Sequence, residues 1–314
     1  MRRYFALILM VALFLGYPTM NTFAANIPDK LKEAVLYLGV GEATGPGKIV
    51  KVNLAGENLG EIPLGSLPSG VCVSGGNIYA ALPSDGTNRT GTGKVVEINS
   101  EGVVSSSLID NRLLRKPLSI AARDDPPALF VGCNHLDHVV RLDPNGSTEV
   151  VFSSRSSPRI AQNYEIAVTN DLLLVITDYP NPGVTAVELS SIGSRHPHKE
   201  VLPFTGMIAA KRNSNRWAAT QVPMRRSRGR YIPKPNAPVF IHVFEGMQEV
   251  RKIPCLKNNR LGWNRLLTFC GDYLVVAYLE DYGHAIYLLD IDSGQSQMLF
   301  RWKGERMVAL AATL

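Results

Sequence analysis

The residues best suited to chemistry in this sequence are arginines and lysines gathered in loops. Residues 224–234, MRRSRGRYIPK, carry five positive charges and no negative charge. Arginine pairs with carboxylate and phosphate through two parallel hydrogen bonds, and like charges collected on one surface attract anions. A charged, solvated insertion without a ligand is the alternative. We predict anion contacts from seven arginines: Arg225, Arg226, Arg228, Arg230, Arg115, Arg159 and Arg260.

Histidines and cysteines that could bind a metal ion are also present, but their settings favour simpler roles. His135 and His138 have the H-x-x-H spacing in a turn that enters a strand, and His196 and His198 fall in a loop. No cysteine pair has the C-x-x-C spacing of a metal knuckle. We therefore interpret the histidines as polar loop residues, with metal binding as the alternative. We assign no disulfide among the four cysteines, Cys72, Cys133, Cys255 and Cys270.

A repeated element must position these side chains. The segment GKIVKVN at residues 47–53 returns as GKVVEIN at 93–99 and as DHVVRLD at 137–143, and weaker copies begin at residues 182, 238 and 284. The starts are 46, 44, 45, 56 and 46 residues apart. A nearly constant period in this range is the signature of a repeat protein. The longest interval contains the arginine-rich segment.

One repeat contains four short strands. In residues 69–109 the runs SGVCV, NIYAAL, GKVVEIN and VVSSSLI are rich in β-branched side chains, and Gly, Pro, Asn or Asp turns separate them. Four antiparallel strands repeated six times predict an all-β fold, a six-bladed β-propeller. A single blade cannot bury both of its faces, so its neighbours must supply the core.

The two ends of the sequence together supply one blade. Residues 34–39 match the second strand of a repeat, and the missing first strand is found at residues 307–312. We therefore predict that the C-terminal strand pairs with the N-terminal blade and closes the ring, which removes exposed sheet edges.

The loops from strand two to three, and from strand four to the next blade, share one face of a propeller. We call it the upper face, and the basic loops fall on it.

The N-terminus has the layout of a secretory signal peptide. A positive start and an apolar run of about 14 residues, short for a membrane span, precede Pro18, and small residues lead up to Ala24. We predict a signal peptide at residues 1–24, a linker at 25–33 and a single propeller at 34–314. The chain is then secreted or periplasmic, without a stable membrane span; an uncleaved anchor is the alternative.

Two segments resemble known propeller families. Residues 128–146, ALFVGCNHLDHVVRLDPNG, resemble a blade of the NHL repeat family. Residues 163–178, NYEIAVTNDLLLVITD, resemble a blade of gluconolactonase-like and strictosidine-synthase-like propellers. The likeness extends as a pattern over most of residues 34–314. It implies the same six-bladed ring and, for gluconolactonase-like members, metal-dependent hydrolysis of lactones.

The gluconolactonase resemblance also implies a divalent cation, Ca²⁺ or Mg²⁺, held by oxygen ligands in the central channel. Glu305 resembles the first ligand of that family, and Asn163 matches an asparagine ligand. Thr205 stands where the family has an aspartate, and the fourth position falls near Pro117 and Leu118, which offer no ligand side chain. The resemblance therefore carries over only Glu305 and Asn163 as metal ligands.

These patterns favour an exported, ligand-binding propeller without catalysis that recognises an anionic small molecule or an acidic polysaccharide on its upper face. A lactonase-type hydrolase with an incomplete channel metal site is the alternative. A scaffold that binds a protein partner is the second alternative. Nucleic acid is not expected as a partner, because the chain is predicted to be exported and aromatic stacking residues are not interleaved with its basic loops.

Overall fold

A computed structural model provides the three-dimensional structure of the chain. It describes residues 21–22, 26–42, 45–83, 93–105, 113–114, 116–133, 138–153, 161–179, 183–192, 198–203, 205–221, 223–227, 230–234, 238–255, 265–280 and 283–314. The predicted fold is confirmed: these residues form an all-β, six-bladed propeller with two short 3-10 turns, Asp29–Leu31 and Leu189–Ser191. None of the helical turns in these ranges is long and apolar enough to cross a membrane.

The first half of the chain contains blades 1 to 3 and the short strand β1 (Asn21–Thr22), which belongs to the sheet of blade 6. The other strands of this half are β2 (Val35–Gly41), β3 (Gly47–Asn53), β4 (Asn58–Leu64), β5 (Gly70–Ser74), β6 (Asn77–Leu82), β7 (Lys94–Ile98), β8 (Pro117–Asp124), β9 (Pro127–Cys133), β10 (His138–Leu142) and β11 (Thr148–Ser153). Blade 2 contains β5 to β7, and Val104 bridges to Ile98 where its fourth strand is expected. Blade 3 contains β8 to β11.

The second half contains blades 4 to 6 and the closing strand. Its strands are β12 (Ala161–Val168), β13 (Leu172–Tyr179), β14 (Gly183–Glu188), β15 (His198–Pro203), β16 (Thr205–Ala210), β17 (Arg216–Gln221), β18 (Met224–Ser227), β19 (Arg230–Pro233), β20 (Phe240–Glu245), β21 (Gln248–Pro254), β22 (Arg265–Cys270), β23 (Tyr273–Glu280), β24 (Gly283–Asp290), β25 (Ser296–Trp302) and β26 (Met307–Thr313). Blade 4 runs from β12 to β15, blade 5 is β16-β17-β20-β21, and blade 6 is β22 to β25.

The C-terminal strand closes the ring, as predicted. β26 pairs antiparallel with β2, from Val35 opposite Thr313 to Val40 opposite Met307, and blade 1 therefore has the order β26-β2-β3-β4. The innermost strands of successive blades contact one another in the order β26, β5, β8, β12, β16, β22 and again β26. The two ends of the chain are thus held together by strand pairing within blade 1, and not only by side-chain packing between blades.

The sequence repeat corresponds to the third strand of each blade. Its six copies coincide with β3, β7, β10, β14, β20 and β24. The one long interval arises because the hairpin β18–β19 is inserted between the second and third strands of blade 5. The arginine-rich segment is therefore a two-stranded extension of the upper face.

The hydrophobic core is divided among the interfaces between blades. In the described part of the chain, buried apolar side chains form six clusters, one for each pair of neighbouring blades. Leu31, within the predicted linker, is fully buried in the cluster between blades 6 and 1. Burial of apolar surface is the main favourable term in folding, so stability depends on an unbroken ring.

Residues from the predicted leader also contact the propeller. Asn21 lies opposite Arg301, and Thr22 lies opposite Phe300, which adds β1 to the outer edge of β25. These two residues precede the predicted cleavage site after Ala24. The signal peptide and its cleavage remain predictions.

Candidate functional site

The innermost strands enclose a central channel of about 1340 Å³. Most of the side chains that line it are apolar, including Val71, Ile120, Ile166, Ile208 and Leu267. Ligand pockets in proteins are typically concave, mostly apolar and provided with a few polar groups. The channel therefore has the character of a binding site. Its few ionisable groups determine the charge and the hydrogen-bonding groups that a ligand must have.

Four innermost strands are irregular near their upper ends. Each contains one extra residue relative to the neighbouring strand, between Pro117 and Ser119, Asn163 and Glu165, Thr205 and Ile208, and Met307 and Ala309. A bulge redirects the side chains that follow it, and bulges are common next to active sites. In the upper part of the channel wall, the bulges therefore determine which side chains of these four strands face the channel.

Two cations stand at the upper mouth of the channel. Lys116 directly precedes β8 and Arg306 directly precedes β26, and both side chains are exposed and line the channel. Neither has an ion-pair partner among the described residues. Lys116 has a φ of 52°, a left-handed conformation that is uncommon outside glycine and that clusters at ligand sites. Both charges are therefore available to a ligand.

His284 lies beside Arg306 at the same mouth. Burial and the charge of Arg306 lower the pKa of His284 to about 4. Its Nδ1 is buried and has no hydrogen-bond partner among the described residues. At neutral pH the ring is uncharged, so the positive charge at the mouth comes from Lys116 and Arg306.

A polar cluster lies at the opposite, lower end of the channel. Arg212 follows β16 in blade 5, and its Nε and Nη2 atoms both contact the carboxylate of Asp124, at the end of β8 in blade 3. Ser74 Oγ, from blade 2, donates to the same carboxylate at 2.6 Å. Burial would raise the pKa of Asp124, but hydrogen bonds from Arg212 and Ser74 and the Arg212 charge hold it below its ordinary value. This pairing ties together three blades across the floor of the channel.

We expect Asp124→Asn to lower the free energy of unfolding by about 1–3 kcal/mol at pH 7, because a charged partner of Arg212 is lost. The pKa of Asp124 is lower in the folded protein than in the unfolded chain. Ionised Asp124 therefore stabilises the fold fully when the pH is above its unfolded-state pKa, and this stabilisation is lost as the pH falls through its folded-state pKa. The deficit should therefore shrink at pH 3 in urea unfolding. Asp125→Asn is the matched control, and an equal loss in both variants would contradict the assignment.

Glu165 is the one carboxyl that the described residues place in the channel wall. It lies midway along β12, just after the bulge, and it accepts a hydrogen bond from the backbone N–H of Ile208. Burial raises the pKa of Glu165 to about 8, although the Ile208 N–H opposes this rise. At neutral pH the group is therefore mainly a neutral carboxylic acid.

The predicted anion contacts are only partly covered by the structure. Arg225, Arg226 and Arg230 lie on the hairpin β18–β19, where Arg225 is opposite Ile232 and Arg226 opposite Tyr231; only the backbone of the three is described. The other four, Arg228, Arg115, Arg159 and Arg260, lie outside the described residues. The seven-residue site therefore stays a prediction.

The predicted metal ligands have different surroundings. The exposed carboxylate of Glu305 lies 3.7 Å from Lys48 Nζ, and its backbone carbonyl accepts a hydrogen bond of 2.8 Å from Trp302 Nε1. A neighbouring ammonium group opposes binding of a cation there. Asn163 lies on β12 opposite Thr177, and its side chain is outside the described residues. No group of three or more His, Cys, Asp or Glu side chains suited to a metal occurs in the described ranges.

Two other sequence motifs have structural roles. His138 Nε2 lies 2.8 Å from the carbonyl oxygen of Leu113, and the ring is buried; His135 is outside the described residues. Cys72, Cys133 and Cys270 are free thiols. Sequence patterns did not single out Glu165 or the Arg212–Asp124 pair, because their positions depend on how the blades are aligned in the ring. The one available signal was for Glu165, which is a lone acidic residue in the apolar strand segment YEIAV.

Comparisons with known proteins place the chain by its fold. It matches no protein-family model and no curated protein sequence. Among solved structures it is similar to a chain of a nidogen/laminin complex, with a TM-score of 0.65 and 12% identity over 90% of this chain and 98% of that one. It is similar to hydrazine synthase of Kuenenia stuttgartiensis, with a TM-score of 0.52 and 12% identity over 88% and 81%. It is also similar to a candidate 6-phosphogluconolactonase of Bacteroides fragilis, with a TM-score of 0.52 and 11% identity over 91% and 99%. These similarities support the propeller fold, and the neighbours range from protein-complex components to a lactonase-like protein.

Proposed function

We propose that this protein is an exported, non-catalytic propeller that binds an anionic small molecule, or the end of an acidic polysaccharide, in the upper part of its channel. The observation that carries the proposal is the charge balance of the channel. Lys116 and Arg306 are cationic at its mouth, while the single carboxyl that the described residues place in its wall, Glu165, is mainly neutral at pH 7. The upper channel is therefore positive where a ligand would enter.

The physical basis is the geometry of the two cations. They precede the innermost strands of two different blades and both line the channel. We therefore expect one small anion to reach both, and the guanidinium of Arg306 can bind carboxylate or phosphate with two hydrogen bonds. A cleft with charge of one sign and low-dielectric walls focuses the electric field and increases capture of oppositely charged ligands. The lower end is tied by Arg212 and Asp124, which favours entry from the upper face.

The fold neighbours are consistent with such a ligand. One of them is named as a candidate 6-phosphogluconolactonase, whose name denotes a phosphorylated sugar derivative. This likeness guides the choice of probes and says nothing about catalysis by this chain. Hydrolysis remains the alternative function, and a protein-binding scaffold the second.

The test is calorimetric titration with 6-phosphogluconate, with glucose as the uncharged control. We expect the variant Lys116→Ala/Arg306→Ala to raise Kd at least about tenfold, since charged hydrogen bonds contribute about 1.5–3 kcal/mol each. The matched control is Lys199→Ala/Lys252→Ala, which removes two exposed charges from outer strands β15 and β21. Binding should also weaken between 20 and 200 mM NaCl, because salt screens exposed charges.

The outcomes separate the functions. Equal Kd values in both double variants, or equal affinity for glucose, would contradict the proposed site. Release of product from a simple lactone by the wild-type protein would favour hydrolysis. A further variant that neutralises Arg225, Arg226 and Arg230 shows whether the ligand also reaches the hairpin.

A further inference from the structure

Glu165 occupies a position in the channel that packing alone does not explain. It follows a bulge in β12, and the neighbouring residues Ile166 and Ala167 are apolar and also line the channel. An ionisable carboxyl in such a wall costs folding free energy unless it is paired or neutral. In the described structure it has no ion pair, and the Ile208 N–H is its one hydrogen-bond partner.

The hydrogen-bonding capacity of Glu165 is therefore incompletely used. A protonated carboxyl has one O–H donor in addition to its acceptor oxygens. The Ile208 N–H occupies an acceptor position, and no described group accepts a hydrogen bond from Glu165. The free donor lies in the wall of a cavity large enough for a small ligand, below the two cations of the mouth.

Other ionisable groups lie on the strands around this carboxyl and at the two ends of the channel. β12 contacts β8, β9, β13 and β16. The ionisable side chains that these strands and the channel place around it are Cys72, Lys116, Arg123, Asp124, Cys133, Arg212, His284 and Arg306, together with Asp178 and Tyr179, whose side chains are outside the described residues. Burial keeps the pKa of Cys133 at about 12 and raises that of Cys72, so neither thiol is charged at neutral pH.

We propose that Glu165, in its protonated form, donates a hydrogen bond to an oxygen of the bound anion, so that ligand binding is coupled to the protonation of this residue. This inference rests on the proposed function and makes the ligand class narrower. The ligand has its charged group at Lys116 and Arg306 and an acceptor oxygen, such as a hydroxyl, further along its chain. A sugar acid has this arrangement.

The coupling has a definite direction. As pH rises through about 8, Glu165 loses its proton. Glu165 then has no O–H to donate, and its negative charge repels the anionic ligand. The affinity for the ligand must therefore fall as the pH rises above about 8. Stability changes in the same region: a folded-state pKa above the unfolded value means that the carboxyl disfavours folding increasingly as pH rises from about 4.3 to about 8.

The experiment measures Kd for gluconate by calorimetry from pH 6.5 to pH 9, a range in which the gluconate carboxylate keeps its charge. We expect the wild-type Kd to rise about fivefold to tenfold across this range. Glu165→Gln retains an N–H donor without a titrating proton, so its Kd should stay near the neutral-pH value throughout. Glu165→Leu keeps similar volume without a donor, and its Kd should be at least about fivefold higher at pH 7.

Thermal unfolding of each variant controls for misfolding. The wild-type protein and Glu165→Gln, if both are folded, must differ in the pH dependence of Kd. A wild-type Kd that is constant with pH, while Lys116→Ala/Arg306→Ala still raises Kd at least about tenfold, would overturn the role of Glu165 and leave the proposed function intact. Absence of gluconate and 6-phosphogluconate binding at every pH would overturn both.

Discussion

Deletion of residues 307–314 should abolish cooperative folding of the whole propeller. The deletion removes β26, which pairs with β2 and contacts the innermost strands of both neighbouring blades, β5 and β22. Buried residues Met307, Ala309 and Leu310 leave the clusters on both sides of blade 1. The unpaired edge of β2 would also be exposed to aggregation. We expect an insoluble or molten product with no sigmoidal unfolding transition.

A synthetic peptide of residues 307–314 provides the matched test of this deletion. Added during refolding, it should restore a cooperative transition, because it can pair with β2 in the native register. A scrambled peptide of the same composition should not. A soluble deletion variant that unfolds cooperatively without the peptide would contradict ring closure as the source of stability.

Trp217→Ala should cost about 3–5 kcal/mol of unfolding free energy. The indole is fully buried between blades 4 and 5, stacks on Phe244 at a centroid distance of 4.0 Å, and donates from Nε1 to the carbonyl oxygen of Gly246 at 2.6 Å. Removal leaves a cavity in one of six interfaces and an unpaired carbonyl. Urea unfolding followed by circular dichroism measures the change.

Trp217→Phe is the control for that substitution. It keeps an aromatic ring against Phe244 but loses the hydrogen bond to Gly246, so its cost should be clearly smaller, about 1–2 kcal/mol. If Trp217→Ala lowers the free energy of unfolding by less than about 1 kcal/mol, the interface between blades 4 and 5 does not unfold cooperatively with the rest of the propeller.

The repeat made most of the fold predictable from sequence. Its third-strand copies are regular because each must fit between two neighbours in one sheet, and a constant period then indicates one blade per repeat. The strand at residues 307–312 could be assigned to blade 1 because residues 34–39 lacked a preceding partner. Strand ends shifted, as for β2, which extends to Gly41, and the hairpin β18–β19 was not predicted.

The channel was harder to predict because its chemistry depends on register. An extra residue in each of four innermost strands changes which side chains face inward, and the sequence has no mark for these bulges. Glu165 therefore looked like part of an ordinary strand. Arg212 and Asp124 are 88 residues apart and meet only because the ring brings blades 3 and 5 together. Loop charge was visible in sequence, whereas the charge balance inside the channel was not.

A crystal structure of the wild-type protein grown with 6-phosphogluconate at pH 7 tests anion binding in the upper channel most directly. We expect the phosphate within hydrogen-bond distance of Lys116 and Arg306, with a hydroxyl of the sugar chain against the Glu165 carboxyl. An empty channel at a saturating concentration, or a ligand held only outside the upper mouth, would contradict it.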